Sequence, residues 1–106
     1  MENENEIILT EENFDSVTAQ GKILVDFWAP WCGPCRNLLV VLDSILKGGQ
    51  LPEGAKIGKV NIDEQPALAD RFEVSTIPTL IVFDNGTLVE RYAGLQTAAT
   101  IVSALR

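Results

Sequence analysis

The chain has 106 residues, 46% hydrophobic and 22% charged, a length and balance that fit one domain spanning residues 1–106 and leave no room for a second. Fifteen acidic residues stand against eight Lys and Arg, a net charge of -7 with no basic run to track phosphates; this excludes nucleic acid as a partner, and the acidity reads as solubility. Histidine is absent, which removes Ser-His and Cys-His catalysis and leaves sulfur, carboxylate, amine and backbone as chemical resources.

The alternating Glu and Asn of "MENENE", residues 1–6, read as a short solvated tail. The N-terminus lacks both the positive charge and the long apolar run of a secretory signal, and no stretch approaches a membrane span, so a cytoplasmic protein without membrane contact is expected. "IILT" is a strand candidate, after which Thr10 can cap a helix with Glu11 and Glu12 in its first turn and Phe14 and Val17 on one face. "KILVDFW" is apolar almost without interruption, as a strand covered on both faces must be.

"NLLVVLDSIL" predicts a helix packed deep against the sheet and ended by Gly48 and Gly49. "AKIGKVNID" is the next strand. Pro66 opens a short helix carrying Leu68 and Phe72 four residues apart. "TLIVF" and "LVERYA" flank "DNGT", where Asn85 and Gly86 accept the positive φ angles of a two-residue hairpin turn. Thr97 then caps a helix with Ala98, Ile101, Val102 and Leu105 on one face. The order βαβαβ followed by αββα predicts an α/β fold: a mixed sheet between helices, parallel in its first half and antiparallel at the hairpin.

Both cysteines lie in "WAPWCGPCR", Cys32 just after the buried strand and Cys35 in the first turn of the following helix. Unpaired N–H groups and the helix dipole stabilise an anion there, so an exposed Cys32 thiol ionises more readily than a free one. Pro34 suits a helix start, where its missing N–H costs nothing. Once Cys32 forms a mixed disulfide, Cys35 is already beside it and resolves it intramolecularly. As a mere staple, so small a loop would contribute only about 2 kcal/mol, and as half of a metal site the pair lacks two ligands. Cys-x-x-Cys in a βαβ setting therefore reads as a redox pair.

"VDFWAPWCGPC", "STIPT" and "FDNG" together resemble the thioredoxin family over essentially the whole chain. The resemblance implies a five-stranded sheet of order 1-3-2-4-5 flanked by four helices, and reduction of protein disulfides by Cys32 as nucleophile and Cys35 as resolving thiol. It implies a monomer without bound cofactor or metal, re-reduced by a thioredoxin reductase or an equivalent donor. Asp26 interrupts the buried strand; at a strand end it would simply meet water, whereas in the family the matching acid lies beneath the disulfide and exchanges a proton with the resolving thiol. Lys59 is an ordinary solvated lysine or, by resemblance, the cation near that acid.

Pro78 could merely begin a strand in trans; the resemblance implies a cis Ile77–Pro78 bond facing the cysteines, with Thr76 and Ile77 as contacts for an extended target. Trp31, Gly33, Pro34, Ile62, Ala93, Gly94 and Leu95 match further positions of the family's docking surface, and Trp28 is assigned to packing below it. The chain departs from the pattern in three places. Val40 replaces a helix-kinking proline, so a smoother helix is expected; Arg36 replaces a lysine; and "KGGQLPEGAKI" implies an altered helix end and loop. A disulfide oxidase or isomerase, a binding module with incidental redox activity, and a metal cluster bridging two chains are the competing readings.

Overall fold

A computed structural model describes residues 4–106. In chain order its elements are β1 (Glu6–Ile8), α1 (Phe14–Thr18), β2 (Lys22–Trp28), α2 (Gly33–Lys47), β3 (Lys56–Asn61), α3 (Pro66–Arg71), β4 (Thr79–Asp84), β5 (Thr87–Ala93) and α4 (Ala98–Ala104). The strands form one five-stranded sheet of order β1-β3-β2-β4-β5, parallel from β1 to β2 and antiparallel from β2 to β5. This is the mixed sheet and strand order expected.

Alternation along β2 explains how the layers assemble. Ile23, Val25 and Phe27 pack with Leu9, Phe14, Val60, Leu68, Ile81 and Phe83 on the face covered by α1 and α3. Leu24 points the other way, joining Leu38, Leu42 and Ile45 of α2 and Ile101 of α4. Each such buried side chain contributes roughly 1.5–3 kcal/mol relative to exposure, and a slip of one residue would reverse both sets, so burial fixes the register. The same alternation turns Asp26 toward α2.

The expectation of a tail over residues 1–6 needs correction. Residues 1–3 of the expected tail lie outside the described residues, and Glu6 opens β1 instead of closing a tail, because the Ile57 N–H donates to the Asn5 carbonyl (2.8 Å) and starts the parallel ladder there. Thr10 caps this segment as expected, one turn ahead of the regular helix: its Oγ1 accepts from the Asn13 N–H (3.3 Å), Asn13 Oδ1 accepts in return from the Thr10 N–H (2.7 Å), and the Phe14 N–H donates to the Thr10 carbonyl (3.0 Å). Residues 11–13 form the turn between this reciprocal cap and α1, which begins at Phe14.

Other punctuation follows the sequence. Asn85 (φ 49°) and Gly86 (φ 87°) make the hairpin turn, and the Thr97 side chain accepts from the Thr100 N–H (3.2 Å) at the start of α4. Helix α2 runs unbroken through Val40 to the cap at Gly48. Its burial is one-sided, however: Leu38, Leu42 and Ile45 face the sheet, while Leu39 is exposed and Val40 is 69% exposed.

Candidate active site at the start of the long helix

The strand-to-helix junction after β2 brings both sulfurs to the start of α2. Cys32 is the extended cap residue (φ -92°, ψ 114°), Gly33 and Pro34 are the first helical residues, and Cys35 completes the first turn. The sulfurs are bonded to each other, with Cα atoms 5.3 Å apart. The Cys35 N–H, one of the helix's orphan donors, points at Cys32 Sγ (3.2 Å). Cys32 is 5% and Cys35 4% exposed, so Cys32, expected at the surface, is covered in this disulfide form. Each sulfur shields the other, and Ala29, Trp28, Ile62 and Ile77 close around them.

The docking residues expected from the sequence gather around this pair to different degrees. The Ile77–Pro78 bond is cis, and the Ile77 carbonyl oxygen lies 3.7 Å from Cys32 Sγ. Ile62 packs on the sulfur cluster, held by its N–H to the Trp28 carbonyl (2.9 Å). The Gly94 N–H donates to the Pro78 carbonyl (2.8 Å), which ties the turn bearing Ala93 and Leu95 to the proline; Gly94 has φ 87°, a conformation that favours glycine. Thr76, Gly33, Pro34, Ala93 and Leu95 are exposed. Trp31 is 65% exposed, and its Nε1–H donates to Asp63 Oδ2 (3.0 Å). Sequence reasoning missed Asp63, because an acid in a loop carries no signal of an indole beside it.

Beneath the pair, Asp26 is 1% exposed and its Oδ1 has no hydrogen-bond partner among the described residues. Burial pushes its pKa from 3.8 up to about 7; the Lys59 ammonium acts in the opposite direction and the Glu6 carboxylate adds to the rise. Asp26, Cys35 and Lys59 line one cleft of about 250 Å³ with Trp28, Ala29, Pro30, Arg36 and Leu39. That is several times the ~30 Å³ share of a water molecule. Trp28 supplies part of its wall and lies under the Lys59 ammonium, 5.8 Å from the ring centroid. Chemically, this is a sulfur pair at a helix start with a protonatable acid opening onto the inner sulfur's cleft.

The thioredoxin family model matches residues 5–106. A thioredoxin of Chlamydia pneumoniae is 51% identical over 89 residues, covering 84% of each chain. Another thioredoxin, of Chlamydia caviae, is 44% identical over 95 residues, covering 90% of each. Among solved structures, a mutant thioredoxin from Halobacterium salinarum superposes with a TM-score of 0.83 at 31% identity, covering 95% of this chain and 88% of that one. Among the described residues, no helix is long and apolar enough to cross a membrane.

Proposed function

The chain belongs to the thioredoxin family, and from that membership we propose a general protein disulfide reductase working as one domain by dithiol–disulfide exchange. It is a thiol-disulfide oxidoreductase. The observation that carries the reading is the sulfur pair at the first turn of α2, with the Cys35 N–H directed at Cys32 Sγ.

In the reduced protein the Cys32 thiolate attacks one sulfur of a target disulfide, forming a mixed disulfide and releasing the other target sulfur as a thiolate. Cys35, as thiolate, then attacks Cys32 Sγ. The second target thiolate leaves, and the protein is left as the Cys32–Cys35 disulfide, having passed two electrons. Asp26 takes the Cys35 proton across the shared cleft, a task suited to an acid titrating near neutrality. Lys59 supplies the cation beside that acid.

Ile77, with Thr76 and Pro78, offers backbone to an extended target segment, while Trp31, Gly33, Pro34, Ile62, Ala93, Gly94 and Leu95 form the surface around it. A separate reductase returns the electrons, and the protein works in the cytoplasm as a monomer. Trapping tests the division of labour: Cys35→Ser should accumulate a mixed disulfide with a model disulfide protein, whereas Cys32→Ser should form none and lose reductase activity. If Cys32→Ser retained activity, or the trapped bond ran through position 35 in the unmodified protein, the assignment would be wrong.

A further inference from the structure

Parallel pairing places Asp26 of β2 opposite Lys59 of β3, and Glu6 of β1 opposite Ile57, two residues before Lys59. Residues two apart on a strand share a face, so all three charged side chains lie on the α2 side of the sheet. Among the described residues, the carboxylate that pairs with Lys59 is not Asp26. It is Glu6, whose Oε2 is 3.8 Å from Nζ, with the two side chains 26% and 16% exposed. Glu6 Oε2 and Asp26 Oδ1 are both buried without a hydrogen-bond partner among the described residues, so two carboxylates stand in want of a single ammonium.

We propose that Glu6 is a positioning residue for the redox reaction, holding the Lys59 ammonium toward the edge of the sheet and so leaving Asp26 free to carry the proton it exchanges with Cys35. The proposal rests on the assignment of Asp26 to Cys35 made above. Its physical content is the sharing of one cation. A Lys59 that faced Asp26 alone would favour the ionised carboxylate, while a Lys59 engaged by Glu6 favours it less. The other groups near Asp26 do not replace Lys59. From α2, Arg36 and Cys35 line the cleft, with the Arg36 Nη2 donating to the Pro30 carbonyl (3.0 Å), and β4 offers Leu80 opposite Asp26. Glu64, from the segment after β3, lies with Glu6 and Lys59 around the neighbouring cleft and adds negative charge on the edge side.

The test is a carbon NMR titration of the Asp26 carboxyl in the disulfide form, where neither sulfur ionises. Glu6→Gln keeps the side chain's shape, and Glu6→Thr is a second neutral variant at a strand position. Each should lower the Asp26 midpoint by roughly half a pH unit, and the same substitution made in a Lys59→Met background should lower it by clearly less. An unchanged midpoint in folded variants overturns the proposal, as does an equally large fall without Lys59. A parallel readout, the pH profile of mixed-disulfide resolution, should move down with the midpoint. If Asp26→Asn leaves that resolution rate untouched, the role of Asp26 fails instead, and the NMR result still decides that of Glu6.

Discussion

Asp26 shows how one residue can sit against the interest of the fold it belongs to. A carboxyl in the middle of a covered sheet loses water and gains no hydrogen bond at Oδ1, so its ionised form is disfavoured and its pKa stands at about 7 against 3.8 in an open chain. Below about pH 4 the folded and unfolded chains both hold the proton, and no penalty exists. As pH rises toward 7 the unfolded chain releases a proton that the folded one keeps, so stability falls, reaching a full cost of roughly 4 kcal/mol above that range. Asp26→Asn should therefore stabilise the disulfide form by a few kcal/mol in denaturant unfolding at about pH 8 and by little near pH 4. Equal gains at both pH values would contradict the assignment of the cost to ionisation.

Elements meet at turns whose chemistry is local, and the β4–β5 hairpin is the clearest example. Asn85 adopts φ 49°, and it is bound twice to Gly21: its N–H donates to the Gly21 carbonyl (2.9 Å) and its Oδ1 accepts from the Gly21 N–H (2.8 Å). The turn thus fixes the hairpin to the start of β2. Asn85→Ala keeps the backbone bond but loses the side-chain acceptor and the tolerance for positive φ, so a loss of about 1–2 kcal/mol is expected from thermal or denaturant unfolding. Reductase activity should stay normal at temperatures where the variant is folded, because the turn lies at the opposite end of β4 from Pro78.

Across the whole molecule, what could be read in advance follows from periodicity and punctuation. Lys22–Trp28 and Thr79–Asp84 were legible because buried strands demand apolar runs, and the Asn85–Gly86 turn because few residues accept its angles. The sulfur pair was legible from spacing and from the strand before it. Glu6 was not: in a run of alternating Glu and Asn it looks like solvated tail, and only the pairing of β1 with β3, distant in sequence, brings it to Lys59. The one-sided burial of α2 was likewise hidden, since Leu39 and Val40 are as apolar as the residues that face the sheet. What the architecture delivers as a unit is a helix start aimed at Cys32, and the acidity of that sulfur is the claim on which the proposed chemistry stands. It is tested most directly by following the alkylation rate of Cys32 against pH in the reduced protein. The account predicts a midpoint well below the ~8.5 of a free cysteine; a midpoint at or above that value would contradict it.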